Sequence, residues 1–160
     1  MSSEKLDEID VTILKILQAH GRTKRNELAD KVKLSIPAVS ERLRKLEERR
    51  IIRGYHAVVD APKVGLGLTA FIFLTTESSI YYPQIINHAQ LEEEILECHA
   101  ITGDGSHILK VKTQSTATLE RLLSRIQSWP GVKNTRTSVV LSSPKEDTAV
   151  TLAHLEPANR

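Results

Sequence analysis

A chain of 160 residues is long enough for one compact domain or two small ones, and 40% hydrophobic with 26% charged residues is a globular composition. No apolar run approaches the roughly 18 residues of a membrane span, and the opening MSSEKLDEID lacks the basic and apolar regions of a secretory signal, so a cytoplasmic protein without membrane association is expected. The net charge of +2 is unevenly spread: residues 1–64 carry 14 basic and 10 acidic side chains, a local +4, and this bias points toward nucleic acid at one end.

In LDEIDVTILKILQAHG, Leu6, Ile9, Ile13, Ile16 and Leu17 recur at three- and four-residue intervals, the pattern of a one-sided helix. Asp7, Glu8 and Asp10 favour the helix dipole in its first turn, and Gly21 is expected to end it. TKRNELADKVK predicts a second, short helix with Thr23 as its N-cap and Leu28, Ala29 and Val32 as its apolar face. KLSIPAVSERLRKLEERR predicts a third, capped by Ser35, with Pro37 in its first turn and a buried stripe of Ile36, Val39, Leu43 and Leu46. IIRGYHAVVD then loses the helical period and reads as an extended hairpin arm turning near Gly54.

APKVGL, residues 61–66, holds Pro and Gly and makes the natural link to a second domain. Beyond it, LGLTAFIFLTTE predicts a buried strand, YYPQIINHAQLE a helix, EILECHAIT and SHILKVKTQ a strand pair around Gly103-Asp104-Gly105, TATLERLLSRIQ a helix, and VKNTRTSVVLSS a last strand. The order β-α-β-β-α-β is that of a ferredoxin-like split βαβ domain. The fold class is therefore α+β: a winged helix-turn-helix over 1–60, the linker 61–66, a βαββαβ domain over 67–152, with one more short strand at 148–152, and a frayed tail at 153–160.

A tri-helical unit followed by a β arm has the logic of a DNA reader, because a helix fits the major groove and an apolar stripe on its back holds it rigid. The exposed face of the third helix carries Pro37, Glu41, Arg44, Lys45 and Glu48, with Ser40 and Arg42 at its flanks. Ser40, Glu41, Arg44 and Lys45 suit base edges: Arg or Lys matches guanine acceptors, and Glu matches the cytosine amino group. Lys24, Arg25, Arg42, Arg49 and Arg53 suit phosphates, with Ser35 as cap and donor. Glu41 and Lys45, four residues apart, also suit a mutual ion pair.

Nothing in the sequence resembles an active site. His20, His56, His88, His99, His107 and His154 show no metal-ligand spacing, and GDGSH lacks the length and context of a phosphate loop, so no catalytic residue, metal or cofactor is expected. His99 and His107 are expected to face one another across the strand pair. The single Cys98 excludes an internal disulfide and reads as a small buried side chain, and Trp129 reads as core.

LDEIDVTILKILQAHGR, VSERLRKLE and IIRGYHAVVD resemble the DNA-binding half of the leucine-responsive/asparagine regulators (Lrp/AsnC) of bacteria and archaea. TGDGSHIL stands in the place of that family's Thr-Gly loop motif, and WPGV with VVL matches its last strand. The resemblance implies a non-enzymatic transcriptional regulator that binds double-stranded DNA and forms a homodimer through its C-terminal sheets, assembling further to tetramers or octamers. It also implies an amino-acid effector held between subunits near Thr102, Gly103, Asp104, Gly105, Ser106 and His107. Two departures stand out. The family loop usually has an acid followed by an aromatic where this chain has Ser106 and His107, which leaves Asp104 as the substitute acid and implies an atypical effector or none. Arg50 stands where the family commonly has Gly, which implies a less strained or differently shaped exit from the third helix. Two alternatives share the architecture: a DNA-architectural protein with low sequence preference, and a tetrapyrrole-binding decarboxylase-like homologue.

Overall fold

The computed structural model describes residues 5–156. The chain divides into two compact units, one running to Val58 and resuming at Lys145, the other spanning Val59–Pro144.

The first unit is built on α1 (Glu8–Ala19), α2 (Arg25–Val32) and α3 (Ile36–Glu48). Asp7 starts α1 with a capping box: its carboxylate accepts from the Asp10 N–H at 2.8 Å, and its own N–H donates to the Asp10 side chain at 3.3 Å. The helix ends at Ala19 with His20 as its C-cap, which puts Gly21 just past the cap, the place of a helix-ending residue. α2 is capped by Lys24 without a side-chain bond, because the Thr23 hydroxyl donates back to the His20 carbonyl and is not available as the expected N-cap. Ser35 does cap α3, accepting from the Ala38 N–H at 3.3 Å. Ile13, Leu14, Leu28, Ala29, Val39, Leu43 and Leu46 form the core. Ile36, expected in the buried stripe, is the first residue of α3 and is 49% exposed.

Two corrections concern the segments that flank this unit. Residues 51–60 form no strand, so the expected hairpin arm is irregular; the Tyr55 hydroxyl donates to Glu47 of α3 at 2.9 Å, while Val58 and Val59 stay exposed. Partial burial and then the Glu47 carboxylate push the Tyr55 phenol up to about 12. No strand forms at 148–152 either. There the Gln18 side chain of α1 takes the place of a neighbouring strand, donating to the Val150 carbonyl at 3.1 Å and accepting from the Val150 N–H at 2.7 Å. Leu152 packs against the helical core, a 3-10 turn follows at Ala153–Leu155, and Glu156 ion-pairs with Lys15. The tail expected to fray from 153 is thus anchored as far as Glu156, and residues 157–160 lie outside the described part.

Arg50 has φ +55°. The exit from α3 therefore keeps the left-handed backbone that favours glycine, contrary to the relaxed turn expected from Arg at this position, at a cost of about 1 kcal/mol. The N–H groups of Ile51 and Ile52 both return to the Leu46 carbonyl, at 2.9 and 3.1 Å, and hold the turn.

The second unit has β1 (Leu68–Thr76), α4 (Tyr82–Leu91), β2 (Ile95–Ala100), β3 (His107–Thr113), α5 (Thr116–Gln127) and β4 (Val132–Val139). Its sheet runs β2-β3-β1-β4 with every pair antiparallel, the expected βαββαβ order. Alternate residues of the strands meet both helices in one core containing Ala70, Ile72, Leu74, Leu109, Val111, Ile85, Leu122 and Ile126. Trp129 is core, as expected, and stacks on His88 at 5.3 Å. Phe71, Phe73 and Ile108 alternate to the opposite sheet face and remain half-buried, with the Arg136 guanidinium 4.6 Å above the Phe73 ring. Cys98 is half-buried against the core, which raises its thiol pKa.

Candidate nucleic-acid interface

Val39, Leu43 and Leu46 sink one side of α3 into the helical core and so fix which side faces outward. Pro37, Glu41, Arg44, Lys45 and Glu48 are exposed along that outer side, and Ser40 is half-buried at its edge. Lys24 and Arg25 at the start of α2, Arg49 at the end of α3, and Arg53 beyond it are also exposed. The short turn between α2 and α3 is closed by Lys33 at φ +56°, with the Leu34 N–H returning to Ala29 at 3.0 Å.

Two arginines of α3 behave differently from the expectation for isolated cations. Arg42 turns inward to α1, donating to Asp7 at 2.7 Å and Asp10 at 2.8 Å. Its pKa is raised by the hydrogen bond to Asp7, and then by Asp10. In the Asp7 carboxyl, burial pushes the pKa up, but the Asp10 N–H and Arg42 together outweigh it and leave it lowered. Arg42 therefore ties α3 to α1, where a phosphate contact was expected. A shallow cleft of about 480 Å³ follows this clasp, lined by Asp7, Asp10, Ala38, Lys45 and Arg49 among others.

Arg44 lies outward and is gripped by its own helix. Its Nε and Nη2 donate to the two oxygens of Glu41 at 2.9 and 2.6 Å, and its Nη1 donates to Glu48 at 2.5 Å. Glu41 thus pairs with Arg44, where Lys45 was expected, and that hydrogen bond lowers the Glu41 pKa. The fork of Arg44 spans both carboxylates at once, which a single ammonium cannot do.

The loop between β2 and β3 separates its residues by depth. Thr102, Gly103 and Asp104 are exposed at the tip, whereas Ser106 and His107 are buried at the base. Gly105, at φ +124°, permits this descent, since a Cβ there would lie 2.9 Å from the Leu74 carbonyl oxygen. The Ser106 N–H and hydroxyl both donate to that carbonyl, at 2.7 and 3.2 Å. With its proton so used, the Ser106 oxygen accepts from His107 Nδ1 at 3.0 Å, which leaves Nε2 as a buried acceptor without a protein partner. The His107 ring meets Tyr82 edge-on at 4.7 Å, and burial lowers its pKa. His99 does not face it: the register sets Ala100 opposite His107, so His99 points to the other face, 3.1 Å from Glu97. Among the described residues no group of three or more His, Cys, Asp or Glu side chains could hold a metal ion.

Asp7 and Asp10 were legible only as helix-start residues; their second role, receiving Arg42, joins positions 32 and 35 residues apart and has no local signal. The grip on Arg44 did have one, the spacing of Glu41, Arg44 and Glu48 at three and four residues.

Two family models match successive stretches of the chain. Residues 6–53 match the model of winged helix-turn-helix DNA-binding domains, and residues 69–150 match that of the Lrp/AsnC ligand-binding domain. The chain is 35% identical over 143 residues to an HTH-type transcriptional regulator of Pyrococcus abyssi, covering 89% of this chain and 94% of the relative. It is 35% identical over 144 residues to the leucine-responsive regulatory protein of Escherichia coli, covering 88% of each. Among solved structures, a transcriptional regulator of Neisseria meningitidis in complex with L-methionine superimposes with a TM-score of 0.89 at 31% identity, covering 95% of this chain and all of that one. These relatives are regulators and not enzymes, and no helix among the described residues is long and apolar enough to cross a membrane. With its α3 face, its βαββαβ unit and these likenesses together, the chain belongs to the Lrp/AsnC family of DNA-binding transcriptional regulators.

Proposed function

We propose that the outer face of α3 reads a DNA half-site, with Ser40, Glu41, Arg44 and Lys45 at base edges and Lys24, Arg25, Arg49 and Arg53 at phosphates. The observation that carries this reading is the one-sided burial of α3: Val39, Leu43 and Leu46 are buried, and Glu41, Arg44, Lys45 and Glu48 lie exposed on the opposite side. Arg42 enters as a positioning residue that holds α3 against α1. The working form is a homodimer in the cytoplasm, joined through the sheet face that carries Phe71, Phe73 and Ile108, and able to assemble further. Two copies of α3 held by such a core would meet half-sites at a fixed spacing.

An amino-acid effector binds near the 102–107 loop and shifts the balance between assemblies in proportion to its differential affinity for them. The methionine bound in the Neisseria structure supports this class of ligand. Asp104 at the exposed tip is the acid available to an ammonium group, since Ser106 is buried and committed to Leu74 and His107. Selection from a randomised duplex pool tests the α3 reading: a recurring, roughly palindromic motif is expected, flattened at one position of each half-site in Arg44→Ala. Sequence-blind binding that decays steeply with salt would replace it by the architectural reading. A panel of amino acids, scored by sedimentation and melting temperature, tests the effector; no response to any of them would remove it.

A further inference from the structure

Arg44 is 53% exposed on the face of α3 that meets solvent, and three of its N–H groups are already spent on Glu41 and Glu48. Arg44 and its two carboxylates sum to one negative charge, which neighbouring Lys45 offsets. A phosphate approaching Arg44 meets an occupied guanidinium flanked by two carboxylates. Helix electrostatics makes the arrangement costly by itself, because an acid in the last turn of α3 opposes the negative end of the dipole. α3 nevertheless ends in two acids, and both are in use: Glu47 receives the Tyr55 hydroxyl, and Glu48 receives Arg44.

The clamp is weak enough to exchange. Solvent-exposed pairs at three- and four-residue spacing contribute little to stability, so a partner with matching geometry can displace them. A guanine edge offers Arg44 two acceptors, and a neighbouring cytosine amino group offers Glu41 a donor, so a matched pair of bases compensates Arg44 and Glu41 and leaves Glu48 alone uncompensated. A phosphate compensates Arg44 alone and leaves Glu41 and Glu48 facing the backbone. We propose that Glu48 is a specificity-determining residue of the reading helix: together with Glu41 it withholds Arg44 from phosphates and yields it only to base edges.

This rests on α3 as the DNA-reading face, and the test separates the two ideas. Wild type, Glu48→Ala, Arg44→Ala and the double variant are each titrated into a random-sequence duplex across a salt series and put through selection from a randomised pool. Glu48→Ala is expected to bind random duplex several-fold more tightly, with a salt slope steeper by about 0.9 for each phosphate that Arg44 gains. It should also flatten the selected motif at the position that Arg44→Ala flattens. In the Arg44→Ala background, removing Glu48 should change random binding much less, because the cycle isolates the coupling between the two side chains. An equal gain in both backgrounds would mean plain charge removal and would overturn the proposal, as would unchanged random binding in Glu48→Ala. If wild type selects a motif but the Glu48 variant behaves like it, this inference alone falls. If wild type selects nothing and Arg44→Ala changes nothing, the α3 reading falls and takes this inference with it.

Discussion

The two units are held together by different means. The sheet unit relies on long-range strand pairing over a continuous apolar core, in which Ile72, Leu74, Leu109, Leu122 and Ile126 are fully buried. Each unit has an arginine clasp between distant segments, Arg42 to Asp7 and Asp10 in the helical unit and Arg125 to Glu92 and Glu94 in the sheet unit. The helical unit, however, has the smaller core and also needs Gln18 on Val150 and Tyr55 on Glu47 to hold its flanking segments. The difference teaches where each unit is sensitive. Packing defects should dominate in one, and salt and single polar substitutions in the other.

The largest effect expected is from Ile72→Ala, which opens a cavity at the centre of β1 and should cost about 2–5 kcal/mol of sheet-unit stability. Chemical denaturation followed by Trp129 fluorescence reads that unit, and a loss below about 1 kcal/mol would show a core that collapses freely. Arg42→Ala comes next. It should destabilise the helical unit by about 1–2 kcal/mol, since charged hydrogen bonds to Asp10 and the more exposed Asp7 are lost together. That loss should shrink in high salt, and the salt slope for random duplex should stay as in wild type; a slope lowered by about 0.9 would restore Arg42 to the phosphate contacts. Arg50→Gly should raise helical-unit stability, by at most about 1 kcal/mol, by relieving the φ of +55°. A lower melting temperature in that variant would show that the Arg50 side chain matters more than its backbone.

The gentlest probe is acid, and it should separate the units. His107 has a lowered folded pKa, so the sheet unit carries no penalty above the ordinary value of 6.5 and loses stability as pH falls below it toward the folded value. Asp7 is a carboxyl with a lowered folded pKa, so its contribution to the helical unit is complete above the ordinary 3.8 and disappears as pH falls through the folded value. Amide exchange measured from pH 7 to 3 should therefore show the sheet unit loosening first. His107→Phe should abolish the earlier step; its persistence would assign that step to another group.

The order of the five α-helices and four strands that form was legible, because the periods of 3.6 and 2 and the Pro and Gly breaks are local signals that tertiary packing reinforced. So were the face of α3 that sinks into the core and the Ser35 cap. What depended on a distant partner was not legible. The 51–60 arm has strand-like composition but finds no strand to pair with, and the 148–152 segment finds a glutamine side chain instead of one.

The candidate site divides in the same way. From the sequence alone come the two-part α+β architecture, the basic bias of the N-terminal part and the set of cations on and around α3. Only the tertiary structure decided that Arg42 belongs to α1, that Ser106 and His107 sink beneath Gly105 while Asp104 stays at the surface, and that the tail closes on the helical core. The physical reason is range. Periodicity and capping act over a turn of helix or a pair of residues, whereas a charged or amide side chain takes whichever partner the folded chain brings within about 3 Å.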